Sequence, residues 1–177
     1  YLNNDIKKRD VKLTIWQQEA LDKFISLLDD GKQKIMAELA ARFGKTLLYL
    51  ALFGQLEEQV MVVGSYYLTA LSSFKKECYL YEQFSNFVAL SLYSDSFQSD
   101  FSYNLAQGKK IVVVVSLCGD KTGNSLRNDN ARFLSEFSNK ITVIDEADYG
   151  AHTESCVPFV NKIGAHADRK STRLNSS

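Results

Sequence analysis

Two stretches of this sequence hold the residue types that handle phosphate. The first is Glu38-Leu39-Ala40-Ala41-Arg42-Phe43-Gly44-Lys45-Thr46. A glycine, a lysine and a threonine between a strand and a helix form the setting of a phosphate-binding loop. Gly44 lets the backbone approach an anion closely, and the helix start offers free N–H groups and partial positive charge. Lys45 would reach the β- and γ-phosphates of a nucleotide, and Thr46 would hold Mg²⁺ through its hydroxyl. The spacing departs from GxxxxGK[ST], because Leu39 stands where the first glycine would be and Arg42-Phe43 fill the tip. An ordinary helix start with a solvated lysine is the competing reading. The second stretch is Ile141-Thr142-Val143-Ile144-Asp145-Glu146-Ala147-Asp148. An apolar strand ends there in adjacent carboxylates: Asp145 can hold the Mg²⁺ of Mg-ATP, and Glu146 can orient and polarise an attacking water. A strand followed by an acidic turn is the alternative, and the upstream lysine and threonine weigh against it.

Elements that could position these groups follow from periodicity. Apolar residues at Leu13, Trp16, Ala20, Phe24, Leu27 and Leu28 predict a helix, with Thr14 and Gln17 as a capping box and Gly31 closing its end. A short strand is expected at Lys34–Leu39, then a helix from Gly44-Lys45-Thr46 to about Leu56. Val60–Val63, Phe87–Leu92, Ile111–Val115 and Ile141–Ile144 read as strands, with helices at Tyr66–Tyr81 and Ala131–Phe137. The Ser/Asp/aromatic mixture Ser94–Asn104 and the Gly/Asn-rich Leu117–Asn130 read as loops. Alternating strands and helices predict an α/β fold, a mostly parallel sheet covered on both faces, with ligands at its carboxyl edge.

Composition narrows the classes. The 177 residues are 45% hydrophobic and 24% charged, the balance of a globular domain. No apolar run approaches the length of a membrane span, so no membrane partner is expected. Cys78, Cys118 and Cys156 are widely spaced and only His152 and His166 accompany them; this set does not make a zinc site. Free thiols in a reducing cytoplasm are the simplest reading. Residues 168–177 resemble a translated sequencing adapter and are expected to form a disordered tail. They carry three of the 21 basic and one of the 21 acidic residues, which leaves 18 against 20. A domain so balanced does not grip nucleic acid by bulk charge.

Asp145-Glu146-Ala147-Asp148 spells the DEAD tetrapeptide, about a hundred residues after Gly44-Lys45-Thr46. Together with Leu13-Thr14-Ile15-Trp16-Gln17-Gln18-Glu19-Ala20-Leu21, these motifs resemble the ATP-binding half of superfamily II DEAD/DEAH-type helicases. The resemblance covers nearly all of residues 11–155 and implies that the α/β fold is a three-layer RecA-like P-loop NTPase domain. It implies that Gln17 reads the adenine edge, that Arg42, Phe43, Gly44, Lys45 and Thr46 form the ATP loop, and that Thr46 and Asp145 hold Mg²⁺. Lys45, Asp145 and Glu146 would be catalytic, and Asp148 would link the site to later motifs. Gly64 and Ser65, with Ser116, resemble the strand-end motifs that touch the nucleic-acid backbone. Strand ends with ordinary loop chemistry explain them equally well.

The branch is read from departures. DEAD-box RNA helicases usually carry a threonine-glycine tip where Arg42-Phe43 stand, and a proline where Gly64 stands. The chain looks closer to helicase subunits of type III restriction enzymes and repair enzymes, so DNA is favoured over RNA as partner. Residues 1–167 are then expected to be an N-terminal RecA-like domain, a fragment whose missing second RecA-like domain would supply an arginine finger worth about 10³–10⁵ in rate. Three alternatives stay open: a P-loop ATPase that is no helicase, a non-catalytic nucleotide-binding or interaction module, and an RNA motor. Phe97, Phe101 and Tyr103 could stack on bases, although packing on their own domain is the better explanation. Lys75, Lys76, Lys109 and Lys110 read as solvated element ends, and His152 as a loop histidine.

Overall fold

The computed structural model describes residues 8–32, 35, 39, 42–65, 69–116 and 125–145, with 125–128 as backbone only. The first helix, α1, spans Ile15–Asp29 and buries Gln17, Leu21, Phe24 and Leu28 along one face. Its start is the expected capping box: the Thr14 hydroxyl accepts from the Gln17 N–H, and the Gln17 side-chain oxygen Oε1 accepts from the Thr14 N–H. Gly31 follows its end with φ 79°. Of the strand expected at Lys34–Leu39, only Ile35 and Leu39 are described, neither in a strand, and both pack into the core.

The next elements are α2 (Lys45–Gln55), β1 (Val60–Ser65), α3 (Ala70–Leu80) and β2 (Phe87–Ser91). They are followed by α4 (Phe97–Ala106), β3 (Lys110–Ser116), α5 (Ser125–Glu136) and β4 (Lys140–Ile144). The four strands form an all-parallel sheet in the order β2-β3-β1-β4. Strand periodicity divides the core in two. Met61, Val63, Val112, Val114, Ile141 and Val143 face a cluster with residues of α1, α2 and α3. Val60, Val62, Ile111, Val113 and Val115 face Phe97 and Phe101 of α4 and Ala131 and Leu134 of α5. Helices therefore cover both faces, and the molecule is a three-layer α/β structure compatible with the RecA-like expectation.

Two segments expected to be loops are helical. Ser94–Asn104 is largely α4, because Phe97, Phe101 and Asn104 recur at helical spacing and are all buried. Phe101 packs edge-to-face on Phe133 and Phe137, with ring centroids 5.4 and 5.5 Å away. Neither Phe97 nor Phe101 can stack on a base from this position, whereas Tyr103 is exposed. Within Leu117–Asn130, α5 already begins at Ser125. There Asn130 is buried, accepting from Gln98 and donating to the carbonyls of Leu92 and Ser94. A polar composition thus concealed a side chain that ties two helices and a strand end together.

Of the two lysines that open β3 and β4, Lys110 corrects an expectation. Lys110 is no solvated strand end: its ammonium donates to the carbonyls of Phe53, Leu56 and Glu58 and lies 4.7 Å from the Phe53 ring centre. Lys140, fully buried, donates to the carbonyls of Leu134, Ser135 and Phe137 at the end of α5. Both ammonium groups donate to carbonyls at and just beyond a helix end. Burial lowers the Lys110 pKa, partly offset by the Glu58 charge, and lowers that of Lys140 to about 8.

Candidate functional site

The site is assembled at the carboxyl edge of the sheet, where parallel α/β folds bind ligands. β1 lies between β3 and β4, with Ser65 opposite Ser116 and Gly64 opposite Ile144. The ladder extends one residue further, because the Asp145 N–H donates to the Gly64 carbonyl at 2.8 Å. Asp145 is therefore fixed by main chain before its side chain makes any contact.

The phosphate-loop candidate meets it from the other side. Arg42 and Gly44 both adopt positive φ, 63° and 81°, so the chain turns sharply into α2. Positive φ is strained for arginine and ordinary for glycine. Gly44 is the N-cap residue of α2 and brings no side chain of its own. Lys45 and Thr46 are the first two residues of the helix, both half-buried. Lys45 Nζ stands 3.5 Å from Asp145 Oδ1, each side chain about a quarter exposed (24% and 25%). The two motifs, far apart in sequence, meet in one ion pair.

Gln17 reaches the loop as well. Its Nε2 donates to the Phe43 carbonyl at 2.7 Å, while its Oε1 holds the Thr14 N–H at 2.9 Å. The capping role expected for Gln17 is present, and the same amide clasps the loop tip to α1. Each contact takes one amide N–H or one carbonyl lone pair, and each would persist beside a further partner. Phe43 is half-buried and packs against the core, whereas Arg42 is exposed.

The remaining expected residues separate clearly. Gly64, Ser65 and Ser116 are at the carboxyl edge but buried, and the Ser116 carbonyl accepts from the Tyr93 hydroxyl at 3.0 Å. Gly64 serves the sheet by holding Asp145. Glu146, Asp148 and His152 lie outside the described residues. Sequence reasoning missed Tyr49, whose hydroxyl donates to Asp145 Oδ1 at 3.1 Å. The available signal was its position four residues after Lys45, one turn along the same helix face.

Hard oxygen donors suit Mg²⁺, which takes one or two protein oxygens together with substrate phosphates. The Asp145 carboxylate, aligned by backbone and partly exposed, fits that role, and Thr46, the second residue of α2, supplies a further hydroxyl on the helix that carries Lys45. Among the described residues no group of three His, Cys, Asp or Glu side chains gathers into an all-protein metal site. Cys78 is a free thiol whose pKa is pushed up to about 12, by burial first and then by the Glu77 charge. Such a thiol is a poor nucleophile. No described helix is long and apolar enough to cross a membrane. No protein-family model matches the chain, and no curated protein matches its sequence significantly.

Proposed function

We propose that this chain is an ATP-binding domain of a nucleic-acid motor, in which ATP hydrolysis drives movement on nucleic acid, DNA in preference to RNA. The observation that carries the nucleotide reading is the meeting of Lys45 and Asp145, 3.5 Å apart at the carboxyl edge of a parallel sheet. A lysine at a helix start and a carboxylate at a neighbouring strand end are the pair that Mg-ATP would separate. Lys45 would turn to the β- and γ-phosphates, Thr46 and Asp145 would hold Mg²⁺, and the α2 N–H groups would face the phosphates. When bound, Mg²⁺ neutralises charge that develops on the transferring phosphoryl group. Gln17 would keep the loop tip in place through the Phe43 carbonyl. Glu146 would orient the attacking water, and Asp148 would couple the site to the partner domain. The motor reading rests on the DEAD resemblance.

Isothermal titration with Mg-ATP tests the nucleotide reading. The wild-type chain should bind and Lys45→Ala should lose at least tenfold in affinity. Equal affinity in the two proteins would refute the loop assignment. A second reading, a P-loop ATPase that is no helicase, is favoured by the burial of Ser65 and Ser116. Stimulation of ATPase by single- or double-stranded DNA in a protein carrying both motor domains separates the two.

A further inference from the structure

We infer that Tyr49 is a positioning residue for the carboxylate that holds Mg²⁺, an inference resting on the nucleotide reading of the same site. Tyr49 lies on α2 one turn beyond Lys45 and is buried at 8% exposure. Its hydroxyl donates to Asp145 Oδ1, the same oxygen that Lys45 approaches. One carboxylate oxygen thus meets two groups of a single helix, the Lys45 ammonium in an ion pair at 3.5 Å and a hydrogen-bonding phenol held by packing. The two differ in what a nucleotide does to them. Lys45 has a long flexible stem and would swing to the phosphates. The Tyr49 ring is seated in the core cluster with Leu48, Leu52 and Phe53 and has no comparable freedom.

When Lys45 leaves, Tyr49 continues to hold Oδ1, and the Gly64 carbonyl continues to hold the Asp145 backbone. The carboxylate therefore keeps its orientation at the moment when it loses its cation and must take another. Outer partners of metal-ligating carboxylates commonly contribute about 10–100-fold to metal affinity. Tyr49 stands in that relationship to Asp145. Its ring alone would fill the core equally well as phenylalanine, so the hydroxyl is the part that the metal role requires.

The test is a Mg²⁺ titration of nucleotide binding by the full chain. ADP affinity is measured without Mg²⁺ and then across a MgCl₂ series, for wild type, Tyr49→Phe, Asp145→Asn and the double variant. Tyr49→Phe should leave ADP affinity without Mg²⁺ unchanged and raise the half-saturating Mg²⁺ concentration about tenfold. In the Asp145→Asn background it should change nothing further. Thermal midpoints accompany each titration. A Tyr49→Phe protein with the wild-type Mg²⁺ midpoint overturns the inference and leaves the nucleotide reading standing. An effect of Tyr49→Phe that persists undiminished in the Asp145→Asn background also overturns it, since the hydroxyl would then act elsewhere. A wild-type chain that binds ADP under no Mg²⁺ condition overturns both. Should Tyr49→Phe fail to fold, Asp145→Glu replaces it: the longer acid displaces the carboxylate from Tyr49, and a wild-type Mg²⁺ midpoint there overturns the inference.

Discussion

The Gln17 amide occupies the space that a side chain on Gly44 would need: an added Cβ would stand 2.5 Å from Gln17 Nε2. That nitrogen is not free to withdraw, because it donates to the Phe43 carbonyl and its partner oxygen caps α1. Gly44 is thus required twice, by its φ of 81° and by its neighbour. Gly44→Ala should destabilise the fold by about 1–3 kcal/mol in urea unfolding, from backbone strain and a displaced amide. In a Gln17→Ala background the displacement part disappears and only strain remains. The two substitutions should therefore cost less together than separately; strict additivity would show that the amide does not confine Gly44.

The clasp itself makes a separate prediction. Gln17→Met keeps length and burial but removes the side-chain half of the capping box and the Phe43 contact, while the Thr14 hydroxyl still accepts from the residue-17 N–H. Loss of these two half-buried bonds should cost about 1–3 kcal/mol. Mg-ATP affinity should fall as well, since the loop tip loses its tie to α1. Unfolding by urea and titration calorimetry read the two effects apart.

Lys140 predicts a pH dependence. Folded, its ammonium gives up its proton near pH 8, because burial disfavours the charge; unfolded, it keeps the proton to the ordinary 10.5. Between these values the unfolded chain binds more protons, so stability rises with pH across that window. Below pH 8 both states are protonated and this contribution is flat. Lys140→Met should remove the rise, and urea midpoints collected from pH 7 to 10.5 would show it. A wild-type curve with no difference from Lys140→Met in that interval would contradict the assignment.

α4 predicts a contrast between two aromatics. Phe101 is 1% exposed and contacts three other phenylalanine rings, whereas Tyr103 is 64% exposed. Phe101→Ala should cost about 3–5 kcal/mol. Tyr103→Ala should stay within about 0.5 kcal/mol. Guanidinium unfolding of both variants measures the pair.

These residues also show what the sequence could reveal. Parallel strands buried on both faces read as continuous apolar runs, so Val60–Val63 and Ile111–Val115 were legible. The Thr14–Gln17 box was legible because its signal is local. Asp145 and Lys45 were legible as separate motifs, and the sheet brings them together. α4 was not, since serines and aspartates dominate Ser94–Asn104 while the burial of the helix depends on Phe97, Phe101 and Asn104. Lys110 read as a solvated strand end and Lys140 drew no reading at all, because the partners of both are backbone carbonyls that carry no residue signature. Tyr49 was hidden for the opposite reason: its one signal, a place four residues after Lys45, lies within an apolar helix that reads as core. The link from Gln17 to Phe43, 26 residues away, exists only once α1 and the loop are packed together.

The buried ammonium at the start of β4 makes this protein its own reporter. Acylating reagents are attacked only by uncharged amines, and Lys140, once exposed, has the ordinary lysine pKa and the same small uncharged share as any other lysine. In the folded chain Lys140 is fully enclosed, so its reactivity is sealed by the structure. Labelling there can proceed only when the corner between α5 and β4 parts. The rate at which a mass tag appears on this one lysine, set against the exposed ones, is therefore a clock for how often that corner opens.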